Sequence, residues 1–141
     1  MTVRKPVVVT RLTHLGNVIR DLQRLRALPR IARETDTIAN LALERALQIA
    51  AEAVFDIGHH ILAGRGLDVP ATYREVLPAL ARAGVIDTAL LARLEGLAGL
   101  RNILVHDYVV VESPRLWQLL DERHGDLQAI HTAFAAIPEI Q

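Results

Sequence analysis

The chain has no cysteine, one methionine and one tryptophan, and only two tyrosines and two phenylalanines in 141 residues. Without thiols there is neither a disulfide framework nor a thiolate metal site, and a cytoplasmic setting is expected. Aromatics at 4% leave the core to be built from Leu, Ala, Ile and Val, which favours helices over a sandwich or barrel. No apolar run approaches the ~20 residues needed to span a bilayer, and the N-terminus lacks a signal-peptide apolar segment. A glycine-rich phosphate loop is also missing, so no nucleotide cofactor is expected. With no repeat, no low-complexity tract and no long linker, residues 1–141 read as a single domain.

What is present is hydrophobic and unevenly charged. Hydrophobic residues make up 51% of the chain and the mean hydropathy is +0.24, which points to an apolar surface kept for a partner. Net charge is zero, yet residues 1–33 carry Arg4, Lys5, Arg11, Arg20, Arg24, Arg26, Arg30 and Arg33 against Asp21 alone, a balance of +7. The remainder carries −7. Such a basic segment could contact phosphates; equally, it could be a solvated arginine face or pair with the acidic remainder.

Periodicity predicts an all-α, up-down bundle of about five helices. Residues 1–9 are expected to form a flexible or extended arm. A first helix is predicted over Thr10 to Leu28, ended by Pro29. The second starts at the Thr35-Asp36-Thr37 cap cluster, and its seam of Leu43, Leu47, Ala50, Val54, Ile57 and Ile61 steps by three and four up to Gly64-Arg65-Gly66. A third runs from Thr72, with Glu75 completing a capping box, to Gly84. Asp87 caps a fourth, expected to continue until the run Val109-Val110-Val111 unwinds it. Ser113 and Pro114 read as N-cap and first turn of a fifth, with Leu116, Leu120, Leu127, Ile130, Phe134 and Ile137 inward and Pro138 at its close.

The predicted fourth helix carries the octet Arg101-Asn102-Ile103-Leu104-Val105-His106-Asp107-Tyr108. Arginine grips phosphate oxygens, and histidine moves protons near neutral pH. On an ideal helix Tyr108, Arg101, Val105, Asn102 and His106 share an arc of about 160°, with Ile103 and Leu104 left to face the core. Asn102 and His106 stand four apart, so the amide could orient the imidazole. Arg101 and His106 are about 7.5 Å apart along the axis, a gap for the long arginine or a second copy of the chain to close. Chemically, His106 could take the proton of a ribose 2′-OH, and Arg101 could neutralise the phosphorane formed when that oxygen attacks the adjacent phosphorus. The products would be a 2′,3′-cyclic phosphate and a 5′-OH, with no metal required. Alternatively, the arginine and histidine only brace two helices.

RNILVHDY resembles the Arg-polar-x-x-x-His motif of HEPN-domain proteins, in the form with an added tyrosine that marks the HepT toxins. ERALQIAAEAVFDIGHHILAGRG, YREVLPALARAGVID and GLAGLRNILVHDYVVVES are similar to the family's second, third and fourth helices, so the resemblance covers most of the chain. It implies a HEPN-like helical bundle and a homodimer with ribonuclease sites in a cleft beside the two-fold axis. It also implies an endoribonuclease toxin cutting RNA with Arg101 and His106, and a minimal nucleotidyltransferase antitoxin that transfers AMP to Tyr108. The basic N-terminal segment is longer than the family leads one to expect. The alternative to the toxin is a non-catalytic helical interaction or nucleotide-binding module.

Glu52, Asp56, His59 and His60 share one stretch of the second helix and could hold a metal. A polar face in which Asp56 orients a histidine or reaches the motif helix is preferred, making Asp56 and Asn102 supporting residues, with no metal. His14, His124 and His131 read as surface or edge residues, and Trp117 as a core or interface anchor.

Overall fold

Helix α3 (Thr37–Gly64) runs through the centre, touching helices on several sides: α1 (Lys5–Arg26), α4 (Val76–Arg82), α6 (Leu97–Val105) and α7 (Ser113–Ala135). All six residues of its predicted seam are buried, together with Ala51, Ala53, Phe55, Gly58 and Leu62. Asp36 caps it as expected, its carboxylate accepting from the backbone N–H groups of Ile38 at 3.0 Å and Ala39 at 3.2 Å. These positions come from a computed structural model that describes residues 2–106 and 112–141. The described residues form seven α-helices and two 3-10 turns and no strand, so the chain is all-α.

Of the expected N-terminal arm, Thr2–Arg4 are non-helical, and the rest is instead the start of α1. Lys5 to Val9 are helical, because Pro6 suits a first turn and Val8 is fully buried. Val3 lies against Gly64, where a Cβ would come within 2.7 Å of it. After Pro29, a helix not foreseen, α2 (Arg30–Thr35), is held down by one residue. Arg33 donates to both carboxylate oxygens of Asp121 at 2.7 and 3.1 Å and to the carbonyl of Arg26 at 2.8 Å. It also lies 4.7 Å over the ring of Trp117. The indole N–H in turn donates to Asn40 at 2.7 Å, so Trp117 is a buried anchor tying α7 to α3.

The third expected helix begins as a 3-10 turn (Tyr73–Glu75), and Thr72 makes no side-chain cap, so the capping box is not formed. The α-helical part, α4, starts only at Val76, which puts Pro78 in its first turn, where a missing N–H costs little. Asp87 caps α5 (Thr88–Arg93), accepting from the Leu90 N–H at 2.7 Å. The predicted fourth helix then divides: Gly96 adopts a left-handed φ of 92° that other residues avoid, and α6 restarts at Leu97. Helix α6 stops at Val105, after the β-branched Ile103 and Val105 in its last turn. The expected unwinding at Val109–Val111 falls outside the described residues. Ser113 is already helical, with Glu112 as N-cap and no side-chain cap; Pro114 is in the first turn as expected. A 3-10 turn (Pro138–Ile140) ends the chain, and Glu139 pairs with Arg65 at 2.7 and 2.9 Å.

Replacing Asp36 with Ala should cost about 1 kcal/mol, since one cap serves the longest helix. Thr72→Ala should be nearly neutral, because it removes no cap. Urea unfolding of both variants checks this; equal losses would contradict the capping assignments.

Candidate active site

Two adjacent strips of α3 receive the charged groups of its neighbours. Glu52, Phe55 and His59, spaced three and four apart, face α6 and the Tyr73 turn; Asp56 and His60 face the start of α1. Arg101, in the middle of α6, reaches α3 with its side chain 20% exposed, and its Nη2 lies 3.8 Å from a carboxylate oxygen of Glu52. Glu52 itself accepts from the amide of Gln48 at 3.1 Å. The guanidinium carbon of Arg101 sits 4.3 Å over the ring of Tyr73. That ring is packed against Phe55, with centroids 5.1 Å apart, and stacks with His59 at 5.9 Å. Arg101 Nε and His59 Nε2 are both buried and make no hydrogen bond among the described residues.

The carboxylate near the motif is therefore Glu52, and the expected support from Asp56 is not realised. Asp56 is turned about 40° further round α3, by the four-residue offset, and its carboxylate pairs with Arg11 of α1 at 3.6 Å. His60 beside it accepts the backbone N–H of Arg4 at 3.2 Å. Its pKa is pushed below the usual histidine value, first by burial and then by Arg11 and Arg4, with Asp56 opposing. Glu52, Asp56, His59 and His60 thus have separate partners, and among the described residues no three His, Cys, Asp or Glu side chains converge on a metal position.

His106 is the residue at which α6 ends, with φ −88° and ψ 107°, in extended backbone and exposed. Its φ stays near the helical value, so the His106 Cβ still projects from the end of α6, four residues after Asn102, and its extended ψ ends the helix there. Asn102 is exposed and its amide oxygen accepts a long hydrogen bond of 3.4 Å from Arg101. Tyr108 lies outside the described residues. Leu104 packs on the core as expected, whereas Ile103 is 42% exposed. Ile103 borders a cleft of about 680 Å³ between α6 and α7, lined by Leu47, Leu97, Leu100, Leu116, Leu119 and Leu120 among others. His124 also borders that cleft, and His131 bonds to the carbonyl of Leu12 at 3.1 Å. Much of the N-terminal positive charge is paired with distant acids: Arg11 with Asp56, and Arg26 and Arg33 with Asp121. Arg33 is the chief reason the Asp121 carboxyl is held below its ordinary pKa.

Sequence reasoning missed Tyr73 altogether. The available signal was modest: it is one of two tyrosines in the chain, and Phe55 and His59 mark a strip of α3 able to receive a ring.

A protein-family model described as Ribonuclease HepT-like matches residues 15–133. The chain belongs to the HepT-like family. Among curated proteins, the mRNA nuclease HepT of Shewanella oneidensis is 40% identical over 62 residues, 44% of this chain and 47% of that relative. The match thus spans about half the length of the relative. Among solved structures, a tri-AMPylated HEPN toxin of Shewanella oneidensis in complex with its MNT antitoxin has a TM-score of 0.82. It is 23% identical, with 93% of this chain and 98% of that chain covered. A toxin–antitoxin complex solved with AMP-PNP gives a TM-score of 0.83 at 22% identity over 94% and 99% of the two chains. The cytosolic protein YutE of Bacillus subtilis, of unknown function, gives 0.82 at 20% identity over 95% and 90%. At these identities the structural matches establish that the chain shares the fold of these proteins.

The geometry at His60 makes stability pH-dependent. Its folded pKa is depressed, so its neutral form stabilises the fold fully above the ordinary histidine value, and that contribution is lost as pH falls below about 6.5 and through the folded pKa. His60→Gln, an acceptor that does not titrate, should lose less thermal stability than the parent between about pH 7.5 and about pH 5.5. Parallel losses in melting temperature would count against this role.

Proposed function

We propose that the chain is a metal-independent endoribonuclease toxin whose chemistry rests on Arg101 and His106. The observation that carries this reading is the placement of Arg101. A motif arginine in the middle of α6 is drawn against α3 and the Tyr73 ring with one long ion pair, and a motif histidine stands exposed at the same helix's end. Membership of a ribonuclease family supports it. In the proposed reaction His106 removes the proton from a ribose 2′-OH, and the oxygen attacks the neighbouring phosphorus. Arg101 neutralises the phosphorane oxygens, and the 5′-oxygen leaves and is protonated, giving a 2′,3′-cyclic phosphate and a 5′-OH. Both the proton transfer and the charge stabilisation then come from side chains.

The competing reading is a non-catalytic binding module, and the Arg101–Glu52 pair favours it to the extent that it braces α6 on α3. RNA cleavage in EDTA decides. Arg101→Ala and His106→Ala should each lower the rate by about 10²–10⁴-fold while the protein stays folded. Full cleavage by a folded His106→Ala protein would rule out the mechanism.

We further infer a homodimer and a nucleotidyltransferase antitoxin as partners. The leucine-lined cleft beside α6, with Ile103 exposed on it, supports a second copy docking near the motif, and light scattering on the cleavage samples should give about twice 15.6 kDa. The antitoxin reading is supported by structures of the same fold bound to such antitoxins. In it, AMP is transferred to the Tyr108 phenol, which adds negative charge and bulk to the motif and repels the RNA phosphate. Co-expression with the neighbouring nucleotidyltransferase should add AMP mass increments to the peptide containing Tyr108. A Tyr108→Phe protein that is still toxic alone and still fully neutralised would exclude this route.

A further inference from the structure

Every nitrogen of Arg101 has a restrained position, yet few of its donors are spent. The contact to Glu52 is long at 3.8 Å, the hydrogen bond to Asn102 is marginal at 3.4 Å, and Nε is buried with no hydrogen-bond partner among the described residues. A bidentate carboxylate would hold a guanidinium equally still, but it would occupy the N–H groups that a phosphate needs. An aromatic face does the opposite. It attracts the cation through the ring quadrupole, perpendicular to the guanidinium plane, and leaves the in-plane N–H groups unused.

We propose that Tyr73 is the positioning residue of Arg101. Its ring, set by Phe55 and His59, holds the guanidinium at 4.3 Å while leaving the Nη1 and Nη2 donors, whose present contacts are long, for the phosphate undergoing attack. The proposal rests on the ribonuclease reading above and adds a residue that does not belong to the Arg-polar-x-x-x-His motif. Three features set the ring. Tyr73 opens a 3-10 turn whose next residues begin α4, so its backbone is tied to a packed helix. Phe55, fully buried on α3, meets the ring in a tilted contact at 41°. His59, one turn further along α3, stacks with it at 27°. Because Phe55 and His59 lie on the same strip of α3 as Glu52, one helix supplies both the ring's support and the carboxylate nearest the guanidinium. Nothing in this arrangement depends on the phenol oxygen; the ring face is what matters.

The test uses the full chain and a defined RNA oligonucleotide. Tyr73→Phe should keep kcat within about 2-fold, whereas Tyr73→Leu should lower kcat by about 5- to 30-fold, with little change in KM. Because Leu could disturb packing, a series with phenylalanine carrying one, two or three ring fluorines at position 73 holds shape constant and drains the ring quadrupole. In that series kcat should fall stepwise. A flat series with an inactive Arg101→Ala control would overturn the positioning role and leave the ribonuclease reading intact. Full activity in Arg101→Ala would instead overturn both. A third readout needs no activity: the Arg101 Nε–H resonance should be shifted upfield by the Tyr73 ring current and return in Tyr73→Leu. An unshifted resonance in the parent would overturn the contact itself.

Discussion

Burial of α3 among several neighbouring helices is the constraint on which the other elements depend. Most of the stability of a 28-residue helix with a continuous apolar seam comes from packing that seam, here against α1, α4, α6 and α7. With so much of its circumference covered, the polar positions of α3 become the places where charges from neighbouring helices must be met. Glu52 meets Arg101, Asp56 meets Arg11, and His60 meets the Arg4 N–H. The helix that forms the core therefore also provides the floor of the candidate site.

That arrangement gives Arg101 an unusual balance of restraint and availability. A partly exposed ion pair at 3.8 Å contributes at most about 1 kcal/mol, too little to immobilise a long side chain. The Tyr73 face adds attraction from a second direction without a hydrogen bond, and partial burial strengthens both terms by excluding water. An arginine intended only to brace two helices would be expected to satisfy its donors, as Arg33 does with Asp121 and the Arg26 carbonyl, and as Arg65 does with Glu139. The contrast within one molecule is between two arginines whose donors are spent on short bonds and one whose contacts are long.

Gly96 and the end of α6 have a comparable effect on the histidine. Had the helix from Asp87 continued unbroken, the motif would have shared one rigid rod with Thr88–Arg93. The left-handed turn at Gly96 gives α6 its own direction, and its stop at Val105 places His106 on extended backbone at the surface. His106 directly follows the last helical residue, so the helical repeat over 101–105 still sets its spacing from Arg101, and its extended ψ ends the helix there.

Most of the helical framework was legible in the chain, because 3.6-residue periodicity over long segments and side-chain caps such as Asp36 and Asp87 are local properties. The seam of α3, the inward positions of α7 and the motif residues themselves all follow from local pattern. Features that depend on distant partners were not legible. The helical start of α1 rests on Val8 and Val3 meeting the bundle, and α2 exists because Arg33 finds Asp121, 88 residues away. Whether Glu52 or Asp56 serves the motif could not be read from spacing, since both stand four residues from another candidate and differ by only a small rotation about α3. The pairing of Tyr73 with Arg101 joins two segments whose sequences say nothing of each other. Local pattern determined most of the helical segments and which reactive side chains the chain carries; packing, which sums weak contacts between remote segments, decided the remaining helices and which of those residues meet.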